Sequence, residues 1–393
     1  MNDLLDQASA AIDYSSALRR EFHRHPELGF QEFHTAEIIV RELSRWEGFK
    51  IQSGLAGTGV LATLEGEKNP GKTVLLRFDM DALPVQEVTG AEYASEIDGL
   101  MHACGHDGHL AIGLTAARLL AERRHEFDGT VRILFQPAEE GLGGALKTIQ
   151  AGVLEDLRPD YVLGMHLWNE KPLGWLGISE GPVMAASETF RIRIRGMGGH
   201  GAKPQEAIDP IVASAGMINT LQTLISREVH PLDSAVITVS TIHAGQAPNV
   251  IPAEAELTGT IRTFSLETRK RLLERFQSTV KDVAAAYRCQ VEVSLEDTSP
   301  PVINHPSATR VVRQTAKTLF PTMEMDENYR TMASEDMAYL MQDLPGCYTF
   351  IGSANPTRGL DAKHHQPNFD FDEDALVSGT ALMAGSALNL LKS

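Results

Sequence analysis

Along the first 170 residues, short apolar runs alternate with longer segments whose apolar residues fall three and four apart. Residues 3 to about 24 read as a helix, with Leu4, Leu5, Ala8, Ala11 and Ile12 at helical spacing. A second helix is predicted over 34–47 and a third over 108–124. Thr73–Phe78 (TVLLRF), Val131–Gln136 (VRILFQ) and Tyr161–Met165 (YVLGM) are short and apolar throughout. Strands of that kind, separated by helices, predict a mostly parallel sheet covered on both faces.

The period changes near residue 187. Phe190, Ile192 and Ile194 alternate with Arg191, Arg193 and Arg195, the pattern of a half-exposed strand. Asp209-Pro210 starts a helix that runs to about 228, and Ser265 caps another that runs to about 287. Strands are predicted at 234–242, 254–263 and 289–296. The order βαββαβ is ferredoxin-like. Residues 349–353 (TFIGS) return to apolar strand, and Met332–Asp336 reads as a helix start capped by Ser334. The expected organisation is an α/β domain, 1–186 and 298–393, interrupted by an α+β insertion, 187–297.

The sum of charges is −17, which disfavours nucleic acid and anionic membrane surfaces as partners. No uninterrupted apolar run approaches the length of a membrane span, and the first residues carry acids where a secretion signal carries bases. Three scattered cysteines, Cys104, Cys289 and Cys347, do not make a disulfide framework, so a reducing cytoplasm is expected. At 393 residues the chain needs no metal merely to fold.

Chemistry concentrates at the ends of the apolar strands. Met101–His109 (MHACGHDGH) holds three histidines, a cysteine and an aspartate. Cys104 and His106, two apart, can reach one ion of the zinc type, although alone the pair also fits a surface histidine cluster with an inert thiol. Asp79 and Asp81, Glu139-Glu140 and His166 each follow an apolar strand. In an open parallel sheet such ends lie together. His364-His365 adds an imidazole pair. More than four nitrogen, sulfur and oxygen donors favour two ions about 3.5–4 Å apart over one.

DMDALP (79–84), HACGHDGH (102–109), PAEEG (137–141), GMHLW (164–168) and HHQP (364–367) resemble the metallo-amidohydrolases of the M20 peptidase family. They are most similar to its aminoacylase, hippurate hydrolase and auxin-conjugate hydrolase branch. The resemblance spans about residues 20–385 and implies a di-metal catalytic domain with a lid and dimerisation domain. It implies Cys104, His106, Glu140, His166 and His365 as ligands of two divalent ions (zinc, manganese, cobalt or nickel), with Cys104 bridging. Glu139 would be the general acid and base, and Asp81 would orient a ligand. Other branches carry a histidine ligand where Asp79 stands, so the role of Asp79 stays open, as does any contribution of His364.

In the insertion, GGHGAKP (198–204) supplies His200, PNVIP (248–252) Asn249 and GTIRTF (259–264) Arg262. The family pattern implies that His200 reaches a partner subunit's site to stabilise an oxyanion, while Asn249 and Arg262 hold substrate oxygen atoms. The implied activity is hydrolysis of N-acyl amino acids to a carboxylate and a free amino acid. A homodimer is implied, with a homotetramer as the alternative. A dipeptidase or carboxypeptidase with the same metals, or a catalytically silent metal-dependent binding protein, are the competing readings. Zinc-dependent base deamination lacks its H-x-E…P-C-x-x-C signature.

Overall fold

The computed structural model describes residues 2–393. It divides into two compact units: the chain up to Val183 with Ile303–Arg330 and Asp336–Ser393, and Met184–Val302 with Thr331–Glu335. The insertion thus begins three residues before the expected 187, ends at 302 rather than 297, and takes in five later residues.

Among the described residues of the first unit, eight strands form one sheet. Their spatial order is Phe49–Leu55, Gly59–Glu65, Thr130–Gln136, Thr73–Asp79, Tyr161–Pro172, Gly346–Ala354, Trp175–Gly177 and Glu324–Asp326. The middle four are mutually parallel, and both sides add antiparallel pairings. Every residue of Thr73–Asp79 is buried, which its apolar composition required of a strand covered on both faces. The helices Phe33–Leu43, His106–Glu122 and Ala375–Lys392 pack against this sheet. Ala375–Lys392 is long and apolar enough by length and composition to cross a membrane, yet 83% of it is buried inside the unit as a core helix. Polar Ser and Thr residues interrupt its apolar run, which is why a search for unbroken runs passes over it.

Several elements differ from expectation. The first helix is two, Asn2–Ala10 and Ile12–Arg24, broken at Ala11, whose ψ of 4° leaves the helical region. The second stops at Leu43, short of residue 47. The strand expected to end at Met165 runs on to Pro172, so His166 lies within it rather than after it. The helix expected from 108 starts at His106, because Gly105 adopts φ +88° and lets the chain turn sharply into the first helical residue. Met332–Asp336 is not a helix start; the short helix is Ala338–Met341, and the Ser334 hydroxyl accepts a hydrogen bond from Arg262 instead of capping.

The second unit has sheet order Ala235–Ala244, Glu254–Thr263, Ala186–Arg195, Gln290–Ser299, all antiparallel. This is the ferredoxin-like arrangement that the βαββαβ order predicts. Phe190, Ile192 and Ile194 face a core with Met217, Leu221 and Phe276. Arg191, Arg193 and Arg195 point away and pair with Glu256, Glu254 and Glu292 at 3.1, 3.0 and 2.8 Å. Asp209 and Ser265 cap the two helices, Pro210–Thr223 and Leu266–Ala286, as their residue types suggest.

Two arginines set the energetic scale. Arg19 is fully buried and bonds Asp107 at 2.7 Å and Asp370 at 2.6 Å. Removing it strands two buried carboxylates, so Arg19→Ala should lower stability by about 3–5 kcal/mol. Arg191→Ala removes only an exposed ion pair and should change it by less than about 1 kcal/mol. Urea unfolding of the two variants would check the contrast.

Candidate metal centre

The parallel register sets Asp79 beside Gln136, so the turns after these two strands emerge together. Three turns then deliver the donors. In the first, Asp81 folds back so that its Oδ2 accepts from the Glu140 backbone at 2.9 Å. In the second, Ala138 takes the left-handed conformation, φ 56°, and its N–H donates to buried Glu32 at 2.9 Å. A non-glycine residue held there costs about 1–2 kcal/mol, strain that is commonest where a side chain must be aimed. The close approach of Gly144 completes this turn, since an added Cβ would meet the Pro137 carbonyl oxygen at 1.7 Å. In the third, His365 has φ 67°, and its N–H bonds the Ala103 carbonyl at 2.7 Å.

The histidines are oriented by main chain. His106 Nδ1 donates to the Asp81 carbonyl at 2.9 Å, leaving Nε2 free. His166 Nδ1 donates to the Leu167 carbonyl at 2.7 Å, and its Nε2 lies 3.4 Å from Cys104 Sγ. His365 Nε2 lies 3.2 Å from Glu140 Oε1. Three groups of potential ligand atoms each fall within 4.8 Å: Cys104, His106 and His166; Cys104, Glu140 and His365; His106, Glu139 and Glu140. Cys104 belongs to two of them. His106 Nε2 is buried with no hydrogen-bond partner, and buried Glu140 Oε1 has only the His365 contact. Orphaned donors of these types, with sulfur, nitrogen and oxygen on one small volume, fit divalent ions of the zinc class.

Asp79 takes another place. Its Oδ1 meets His109 Nδ1 at 2.5 Å and its Oδ2 accepts from Arg77 at 2.7 Å. His109 Nε2 accepts the Leu167 N–H at 3.0 Å, so Nδ1 carries the proton and both ring nitrogens are committed. Asp79, His106 and His109 also cluster, but these bonds leave His109 no lone pair to offer. Arg77 continues to Gln136 at 2.9 Å and Asp336 at 2.9 Å, and Asp336 accepts the Ala145 N–H at 2.8 Å. His364 Nε2 bonds the Leu167 carbonyl at 2.9 Å, which commits that nitrogen to the main chain. Sequence reasoning assigned nothing to Arg77, His109 or Asp336. A charged residue within an otherwise apolar strand, Arg77, was the available signal, because it requires buried partners.

In the second unit, His200 and Asn249 come together: Val250 pairs with His200, and the Asn249 carbonyl accepts the Gly201 N–H at 2.8 Å. The exposed His200 ring accepts the Ala202 N–H at 3.0 Å. Arg262 lies on the strand Glu254–Thr263, half-buried, with Nη1 2.5 Å from Ser334 Oγ.

The pattern of peptidase family M20/M25/M40 matches residues 75–389. The chain belongs to peptidase family M20. An IAA-amino acid hydrolase of Arabidopsis thaliana is 39% identical over 384 residues, 97% of this chain and 86% of that protein. A thermostable carboxypeptidase of Saccharolobus solfataricus is 37% identical over 371 residues, 93% of each chain. The crystal structure of the Bacillus subtilis YXEP protein, described as a dinuclear metal binding peptidase, superposes with a TM-score of 0.85 at 35% identity, covering 98% of this chain and 99% of that one.

The electrostatics of this M20 hydrolase follow from the crowding of acids. Burial disfavours the charged form of His106, but Asp79, Asp81 and Glu140 outweigh it and push the imidazole up to about 10. Burial, then Glu140, Glu139 and Asp79, push the Cys104 thiol well above its usual range. Burial and the neighbouring histidines hold His166 well below its usual value, hence neutral. Without a cation, Cys104 and His106 therefore keep their protons at pH 7, whereas a metal needs thiolate and neutral imidazole. Metal uptake should release protons, and affinity should weaken as pH falls. Indicator-dye titration with zinc at pH 7 should show the release, reduced by about one proton in Cys104→Ser.

Proposed function

We propose that this protein hydrolyses the amide bond of N-acyl amino acids, hippurate-like substrates included, to a carboxylate and a free amino acid. The observation that carries the reading is the convergence of Cys104, His106, Glu140, His166 and His365 beside Glu139. The likeness to an IAA-amino acid hydrolase supports the acyl-amino-acid class. Two divalent ions on those five residues, with zinc, manganese, cobalt and nickel all suited to the donor set, supply Lewis acidity and lower the pKa of water.

The remaining chemistry belongs to the chain. Glu139 accepts the proton of the attacking water and returns it to the leaving nitrogen, because an amine leaves poorly as an anion. Asp81 fixes His106 through its carbonyl and Glu140 through its carboxylate. In a homodimer, His200 of the partner subunit donates to the developing oxyanion. Asn249 and Arg262 hold the substrate's oxygen atoms, the planar guanidinium gripping a carboxylate through two parallel bonds. Three free, buried cysteines support a reducing, cytoplasmic setting.

Glu139→Gln should keep its metal and lose about 100-fold or more in turnover. Elemental analysis alongside rate measurement checks both halves, and near-normal turnover would remove the proton shuttle from Glu139. His200→Ala should cost about 100- to 1000-fold in rate with metal content unchanged. The deciding assay is amino-acid release from N-acyl amino acids and dipeptides, using chelator-stripped protein with single metals restored. Release from dipeptides alone would favour the carboxypeptidase reading, which the Saccharolobus relative supports. Metal binding without release from either would indicate a binding protein.

A further inference from the structure

A second group of ligand types lies in the first unit, apart from the centre described above. Glu21 sits in the last turn of the helix Ile12–Arg24, His25 directly follows that helix, and His34 lies in the first turn of the next, Phe33–Leu43. One ligand atom from each of the three falls within 4.8 Å of the others. The two imidazole rings stand 5.3 Å apart at 76°. They border a cavity of about 500 Å³, which Glu27 and Leu100 also line.

The orientation of His25 distinguishes this group from a chance surface cluster. Its Nδ1 lies 3.0 Å from the Glu21 carbonyl oxygen, which can only accept. Nδ1 therefore carries the proton, and the Nε2 lone pair is left free. Metal-binding histidines are commonly fixed in this way, by donating the other ring N–H to a main-chain carbonyl. Nε2 in turn lies 3.7 Å from Glu96 Oε2, which brings a second carboxylate within reach. The Glu96 backbone is pinned there by its N–H bond to the Arg24 carbonyl at 2.8 Å. Glu27 is otherwise engaged, because its carboxylate accepts the N–H groups of His34 and Thr35 at 3.1 and 2.8 Å.

We propose that Glu21, His25 and His34 form a separate binding site for one divalent ion of the zinc class, with the cavity admitting water or a small anion as a further ligand. Bonds of about 2.0–2.1 Å set tetrahedral ligands roughly 3.4 Å apart. The ligand atoms already lie within 4.8 Å of one another, and His34 is exposed, so its side chain has room to turn inward. The site joins two helices across the connection 25–32. That connection also touches the catalytic turns: the Glu27 carbonyl accepts the Ala82 N–H at 2.8 Å, and Glu32 holds Ala138. An ion here clamps the segment that braces Asp81 and Glu139 from outside.

The test counts zinc. Wild type, His34→Gln and the double variant His25→Asn/His34→Gln are equilibrated with micromolar free zinc and bound metal is measured by elemental analysis. Wild type should hold one equivalent more than the double variant, and its melting temperature should show an additional zinc-dependent rise that the variant lacks. Equal zinc content in wild type and double variant overturns the site. Because the readout is a difference, it holds whatever number of ions the catalytic centre takes. Circular dichroism of the zinc-free proteins identifies any folding defect. The single variant His34→Gln, altered at an exposed side chain, then carries the same comparison.

Discussion

The first unit is built around a concentration of acid groups at the ends of its parallel strands. Asp79 and Asp81 are buried, Glu139 and Glu140 are only partly accessible, and the Cys104 thiol lies among them. Arg77 and His109 answer Asp79, His106 lies 3.3 Å from Asp81, and His365 meets Glu140 at the rim. Carboxylates crowded together in a buried place are costly, and an ion of charge two would be a compact remedy. The parallel strands, the left-handed Ala138 and the turn at Gly105 all serve to hold these groups close despite their repulsion.

Main-chain carbonyls do much of the fixing. Residue Leu167 alone serves three histidines: its N–H is taken by His109, and its carbonyl accepts from His166 and His364. Asp81 does the same for His106, and Glu21 for His25. A carbonyl can only accept, so each bond fixes the tautomer and points the opposite nitrogen outward. The backbone of a rigid strand is a better anchor for this than a second flexible side chain.

Much of this was legible in the sequence. The runs TVLLRF and VRILFQ gave the buried parallel strands, and the alternation of Phe190 to Arg195 gave the second unit's sheet and its outward arginines. The antiparallel strands Phe49–Leu55 and Gly59–Glu65 were not read, because glycines and small residues blur their alternation. The acids and histidines that cluster in the structure stood out through their positions after apolar strands. The groups behind them did not: His109 and Asp336 matter through partners far along the chain, and no local pattern reports a contact such as Arg77 with Asp336. The membership of Thr331–Glu335 in the second unit was equally invisible, since it depends on pairing across more than a hundred residues, as Met184 with Thr331.

The interleaving of the two units has a consequence for biosynthesis. His365 and the core helix Ala375–Lys392 come from the last tenth of the chain, and the other donors from its first half. At about 5–20 residues per second, the ribosome exposes the acid-rich strand ends many seconds before the residues that close over them. The insertion, by contrast, is nearly continuous in sequence and can reach its own core first. The first unit therefore cannot close its metal-ligand cluster until synthesis is nearly complete, and its early strand ends stay uncovered in that interval.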